Sequence, residues 1–201
     1  VMGIEACPIP TILLSTHTGG YGKPAMEKIS TTYIRECADH YVANQVTFDL
    51  IFVGYLGSEG MIEAVEYFLS CFPDTEVIID PIMGDHGRYY TNFDSSYGES
   101  MRRLLPYASI IMPNITEGCL LTQTSCSENM IQETILTICQ DLEKAGAKKI
   151  VMTKQASNDK EKIKFELEKD NNIDNFFYKI FSTNKKKVKV KNGFCCSEQT
   201  E

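Results

Sequence analysis

Five short apolar runs punctuate the chain, at 9–14, 50–54, 77–80, 110–112 and 150–153. Continuous, β-branched stretches of this kind suit strands buried on both faces, as in a parallel sheet. Between them apolar residues recur at helical spacing. Met26, Ile29, Tyr33, Cys37 and Tyr41 make one stripe. Met61, Val65 and Phe68, flanked by Ile62 and Leu69, make a second; Ile131, Ile135, Ile138 and Leu142 make a third, ended by Gly146. Strand and helix alternate, which predicts an α/β fold with a mostly parallel central sheet and helices on both faces.

From about residue 160 the texture changes. Residues 163–167, 176–181 and 187–191 are short alternating or aromatic-rich segments joined by polar residues. They predict antiparallel strands at the sheet edge over 160–192. The run Lys185-Lys186-Lys187 reads as a solvated, edge-protecting stretch. No internal repeat interrupts the chain, and residues 1–201 are read as a single domain.

Composition adds exclusions. The net charge of −7 gives no general attraction to nucleic acid or anionic lipid. No apolar run approaches the ~20 residues that span a bilayer. The opening Val1-Met2-Gly3-Ile4-Glu5 carries no secretory pattern, so a cytoplasmic location is expected. It also lacks an initiating Met, so further residues are expected upstream. The 8 cysteines are scattered without a CxxC pair, which points to reduced thiols rather than a disulfide framework or a zinc site.

The polar residues fall where an open parallel sheet binds ligands, beyond the carboxyl ends of its strands. The five runs are followed in turn by Ser15 to Lys23, Gly54-Tyr55-Leu56-Gly57-Ser58, Asp80 to Gly87, Pro113-Asn114-Ile115-Thr116-Glu117, and Thr153-Lys154. Asp80, Asp85, Asn114 and Glu117 offer hard oxygen donors suited to Mg²⁺ and phosphates; each also has a plain structural reading as a turn or helix-start residue. Gly84 and Gly87 bracket a loop that either approaches a ligand closely or turns with positive φ. His17, Thr18 and Tyr55 read either as hydrogen-bonding and stacking groups suited to a small aromatic heterocycle or, equally well, as a satisfied loop histidine and a packing tyrosine. A P-loop is excluded, because His17 and Pro24 occupy positions that need Gly and Ser or Thr. Asn114-Ile115-Thr116 matches a glycosylation sequon, discounted between a strand and a helix in a chain without a signal peptide.

Ser15-Thr16-His17-Thr18-Gly19-Gly20-Tyr21-Gly22-Lys23 resembles the vitamin-B6-site loop of pyridoxal kinases, in the form most similar to the bacterial-type pyridoxal or pyridoxamine kinases. Asp80-Pro81-Ile82-Met83-Gly84-Asp85 resembles their Asp-Pro-Val-Met-Gly-Asp segment. Ile111-Met112-Pro113-Asn114-Ile115-Thr116-Glu117 is similar to the Thr-Pro-Asn segment of the wider ribokinase-like superfamily. The likeness covers residue 1 to about 153, in order and spacing.

The resemblance implies a ribokinase-like three-layer sandwich, mostly parallel with antiparallel edge strands. It implies MgATP-dependent phosphorylation of the 5′-hydroxymethyl group of pyridoxal, pyridoxine or pyridoxamine, with a homodimer common in the family. It assigns the ring to Thr18 and Tyr55, with His17 nearby, and Mg²⁺ and the ATP phosphates to Asp80, Asp85, Asn114 and Glu117. Tyr90 would belong to a covering loop, and Thr153 and Lys154 would line the nucleotide. The alternatives are a hydroxymethylpyrimidine kinase of the same superfamily, or an inactive module that holds nucleotide or vitamer.

Two parts of the family pattern are not found in this sequence: a first strand and helix with a ring-contacting Ser, and a Gly-Thr-Gly-Asp motif whose Asp is the general base. The chain therefore reads as truncated at both ends, with no catalytic base assigned. Losing a base costs about 10²–10⁴-fold and losing oxyanion-type donors about 10²–10³-fold, so near-inertness is expected. Loss of a strand near the sheet centre would also leave an open edge. The expected outcome for the isolated 201-residue chain is aggregation or poor solubility, read by light scattering; a sharp cooperative melt of a monomer would contradict it.

Overall fold

In a computed structural model, residues 5–16, 24–126, 132–154 and 181–182 are described. The elements run β1 (Ile12–Leu14), β2 (Met26–Lys28), α1 (Thr31–Ala43), β3 (Leu50–Val53), α2 (Glu59–Ser70), β4 (Glu76–Ile79), β5 (Gly84–Asp85), β6 (Arg88–Tyr89), α3 (Ser95–Arg102), β7 (Ile110–Ile111), α4 (Ile115–Thr122), α5 (Gln132–Lys144), β8 (Thr153–Lys154) and β9 (Phe181–Ser182). β3, β4 and β7 pair in parallel in that order. The ladder continues onto the segment after α5, where Ile111 bridges Ile150 and Asn114 bridges Thr153, both in parallel. The architecture is α/β, with a parallel sheet accompanied by antiparallel pairs.

Four of the five apolar runs thus become neighbouring strands, and their contents explain why. Val53, Val77, Ile79, Ile111 and Ile150 are buried and carry the sheet side of the core. The helices supply the other side. The α2 stripe of Met61, Ile62, Val65, Phe68 and Leu69 is buried, as are Ile135, Ile138 and Leu142 of α5. Ile131 lies outside the described residues. Gly146 ends that helical segment at φ +109, a conformation in which a Cβ is strained. Among the described residues no helix is long and apolar enough to cross a membrane. The described cysteines form no disulfide with one another; Cys119 and Cys139 are buried, whereas Cys7 is exposed.

The first run departs from expectation. Instead of joining the parallel sheet, β1 pairs antiparallel with β2 in a two-stranded ribbon, with Leu13 and Leu14 exposed. Pro8 and Pro10 lie in or beside that run and remove ladder donors, which disqualifies it as a central strand. Met26, expected on the first helix, belongs to β2. Helix α1 starts only after Ser30, whose side chain accepts from the Thr32 N–H. At the other end, Phe181–Ser182 lies parallel, not antiparallel, to Thr153–Lys154. An alternating pattern specifies a strand but not its direction; the rest of 160–192 lies outside the described residues.

β5 and β6 form a hairpin that closes through His86 (φ 51) and Gly87 (φ 75), a two-residue turn with both φ values positive. The hairpin packs on α4. Gly84 is required by space rather than by conformation, because a Cβ there would meet the Arg88 carbonyl oxygen and Leu120 Cδ1, each at 2.6 Å. Gly84→Ala should therefore lower the unfolding free energy by about 1–3 kcal/mol. Gly60→Ala, whose new methyl would touch only Thr31 at 3.6 Å, should leave it within about 0.5 kcal/mol. Urea denaturation checks both, and equal effects would refute the packing argument.

Candidate functional site

The parallel register brings the strand ends together. The Asp80 N–H donates to Val53 O at 2.8 Å, Met112 N–H to Ile79 O at 2.9 Å, and Thr153 N–H to Pro113 O at 2.8 Å. Residues 53–55, 80–85, 112–117 and 153 therefore share one rim. Of the remaining expected contributor, Ser15 to Lys23, the part from His17 and Thr18 to Lys23 lies outside the described residues, as does the side chain of Lys154.

Asn114 and Glu117 organise this rim. Asn114 caps α4: its side-chain oxygen accepts from the Glu117 N–H at 2.8 Å, and Glu117 Oε2 accepts from the Asn114 N–H at 2.8 Å. This is a reciprocal capping box. Both side chains also reach across to the β4–β5 connection. Glu117 Oε1 accepts from the Met83 N–H at 3.3 Å, and Asn114 Nδ2 donates to Gly84 O at 3.0 Å. Within the same first turn, Thr116 Oγ1 accepts from the Gly87 N–H at 3.0 Å, so α4 holds the hairpin at its start and at its turn.

The electrostatics follow from burial. Glu117 is 3% exposed, and that desolvation pushes its carboxyl up to about 7; hydrogen bonds from the Asn114 and Met83 amides oppose the rise and the Asp80 charge adds to it. Asp80 is itself raised by partial burial. The Tyr90 hydroxyl is raised first by burial, then by Glu117, Asp85 and Asp80 in that order. Asp80, Asp85, Tyr90, Asn114 and Glu117, all expected at the site, thus lie together around a buried Glu117 and a half-buried Asp80.

The expected metal trio is not assembled as direct ligands: among the described residues no three His, Cys, Asp or Glu side chains are arranged to hold a metal ion. Both Glu117 oxygens are engaged by backbone N–H groups, and Asp85 Oδ1 accepts from the His86 N–H at 2.8 Å. Asp80 differs, as no described residue hydrogen-bonds its carboxylate. A half-buried carboxylate in that condition, beside further negative charge, fits a divalent cation held partly through water.

Tyr55 follows β3, where its carbonyl accepts from Thr11 Oγ1 at 2.7 Å and its hydroxyl accepts from Asn92 Nδ2 at 2.9 Å. Its ring lies 5.7 Å from Phe93, which stacks on Tyr97 at 3.8 Å. Asn92 and Phe93 were not expected at the site, and Thr116 was expected at the strand ends without a role of its own. The Asn-x-x-Glu spacing of the capping box is legible in the sequence, but nothing local marks Asn92.

The fold and this rim define a class, an α/β protein with an anion-managing strand edge. The family model described as phosphomethylpyrimidine kinase matches residues 1–197, and the chain belongs to that family. It is 26% identical over 158 residues to pyridoxal kinase of Arabidopsis thaliana, covering 76% of this chain and 50% of the relative. A solved pyridoxal kinase from Lactobacillus plantarum superposes with TM-score 0.63 at 34% identity, over 69% of this chain and 50% of that one. A putative phosphomethylpyrimidine kinase from Bacteroides thetaiotaomicron, in a crystal form with pyridoxal, gives 0.65 at 34% identity, over 70% and 49%. The chain spans about half the length of these relatives.

The raised Glu117 carboxyl makes a signed prediction. It titrates near 7 when folded, against an ordinary 4.5. Between those values the folded chain keeps a proton that the unfolded chain has released. Stability therefore falls as pH rises through that window and levels off above it. In metal-free buffer, wild type should lose about 1–3 kcal/mol between about pH 5 and 7.5 relative to Glu117→Gln. Parallel urea-midpoint profiles for the two proteins would refute it.

Proposed function

We propose that this chain supplies the phosphate- and ring-binding rim of an ATP-dependent kinase that phosphorylates the hydroxymethyl group of a vitamin B6 ring: pyridoxal, pyridoxine or pyridoxamine. The observation that carries the reading is the meeting of Asp80, Tyr90, Asn114 and Glu117 at adjacent parallel-strand ends, with Thr153 bridged to Asn114. Such a rim suits phosphoryl transfer, which needs positioning and charge neutralisation more than covalent chemistry. The printed names of the relatives, pyridoxal kinase among them, support the substrate class.

In this reading His17, Thr18 and Tyr55 take the ring, and Asn114, Asp85, Thr153 and Lys154 line the nucleotide. Asp80 holds Mg²⁺ through water, and the ion when bound neutralises charge on the transferring phosphate. Glu117 acts on the backbone: by ordering Met83 and Asn114 it fixes where Asp80 and the hairpin stand. Tyr90 covers the cluster and excludes water from it. The location we infer is cytoplasmic. The second reading, a hydroxymethylpyrimidine kinase, draws on the description of the matching family.

Calorimetry separates these. Pyridoxine should bind better than hydroxymethylpyrimidine, and the reverse order would overturn the vitamer assignment. Mg²⁺ should raise ADP affinity by at least about ten-fold in wild type and leave Asp80→Asn unaffected, with no loss of thermal stability. An equal Mg²⁺ response in the variant would remove Asp80 from the metal role.

A further inference from the structure

The turn after the hairpin touches both halves of the rim. Tyr90 N–H donates to Met83 O at 3.0 Å, and Phe93 N–H donates back to Tyr90 O at 2.9 Å, closing a turn over residues 90–93. At one end Tyr90 stands in the field of Asp80, Asp85 and Glu117. Near the other, Asn92 reaches Tyr55, on a strand-end loop 37 residues away in sequence. The turn is anchored from beneath, since Phe93 stacks on Tyr97 with ring planes 15° apart and Tyr97 is 2% exposed. The Tyr55 carbonyl accepts from Thr11, and its ring contacts Phe93 of the same turn. Its position is fixed, and what remains is the direction of its hydroxyl proton.

We propose that Asn92 is a positioning residue that sets this direction. The Asn92 amide nitrogen donates into a lone pair of the phenol oxygen at 2.9 Å. An amide NH₂ accepts nothing, so the phenol proton turns away from Asn92 and stays available to donate. The Tyr55 hydroxyl therefore selects a ring that carries a hydrogen-bond acceptor, a ring nitrogen or an oxygen substituent, over one that offers only donors there. The inference rests on the assignment of Tyr55 to the ring side of the site made above.

The test is calorimetry on the 201-residue chain, with pyridoxine and ADP as separate probes, for wild type, Asn92→Ala, Asn92→Asp, Tyr55→Phe and the Ala/Phe double variant. Asn92→Ala should weaken pyridoxine about three- to ten-fold and leave ADP unchanged. Tyr55→Phe should cost at least as much, and the double variant no more than Tyr55→Phe alone, because Asn92 acts through that hydroxyl. Asn92→Asp should be no better than Asn92→Ala, since a carboxylate captures the phenol proton. A parallel loss of ADP affinity, additive losses in the double variant, or wild-type affinity in Asn92→Asp would each overturn the proposal. Wild type that binds hydroxymethylpyrimidine and not pyridoxine overturns the vitamer reading alone; the same cycle run with that pyrimidine then decides the role of Asn92. Failure to bind either ring overturns both.

Discussion

The arrangement of the site depends on one buried carboxylate and the amide beside it. Glu117 takes two backbone N–H groups from segments far apart in sequence, Asn114 at the start of α4 and Met83 after β4. Asn114 answers with a donor to Gly84 O and an acceptor for the Glu117 N–H. A strand end, a helix start and a hairpin are thereby locked by two side chains. Orphan backbone groups at a buried helix N-terminus carry a real cost if left unmet, so these bonds satisfy the backbone while they fix geometry. Burial has an electrostatic consequence. Desolvation pushes the Glu117 carboxyl up to about 7, and the nearby Asp80 charge adds to that rise.

That consequence gives the cluster its direction. Desolvation raises Asp80, Glu117 and Tyr90 alike; the Asp80 charge further raises Glu117, and Glu117, Asp85 and Asp80 further raise Tyr90. Of the carboxylates, Asp80 alone lacks a hydrogen-bond donor among the described residues. A cation arriving there relieves repulsion that protein groups leave uncompensated, whereas an anion arriving alone would add to it. In the function proposed above, phosphate and cation would therefore arrive together, as in a metal-bound nucleotide diphosphate or triphosphate.

Much of this was legible in the sequence. The buried strands at 50–54, 77–80 and 110–112 declare themselves because they are apolar without interruption, and parallel pairing follows from the helices between them. The α2 and α5 stripes are equally plain. What misled was local pattern without its chemistry. Met26 sits at helical spacing from Ile29 and Tyr33, but the Ser30 cap places the helix start beyond it. The 9–14 run is apolar, yet its prolines forbid a central place. At the site, residue types identified the cluster but not the division of labour. Asp80 and Glu117 look alike as carboxylates, and only burial and hydrogen bonding show that one is committed to the backbone and the other is not. Asn92 was invisible, because its partner Tyr55 comes near only through tertiary structure.

Apart from Tyr90, itself 40% exposed, the exposed apolar side chains lie on elements other than those of the acidic cluster, and that separation bears on how the two behave. Leu50 and Phe52 on β3 are 49% and 59% exposed, and Leu13, Leu14 and Met26 are exposed on the ribbon. β3 has a partner on one side only among the described strands, so one row of its backbone groups is open. The rim, by contrast, is centred on β4 and β7, which are paired on both sides through the bridges to Ile150 and Thr153. Its defining bonds run between β4, the hairpin and α4, none of which borders the open edge. Tyr55 is the exception, since it follows β3 directly and is tied to the ribbon through Thr11. Disturbance at the open edge should therefore reach Tyr55 first and the acidic cluster last. Asn92 counters that asymmetry by binding Tyr55 to the turn that Tyr90 and Phe93 anchor in the better-paired part of the fold.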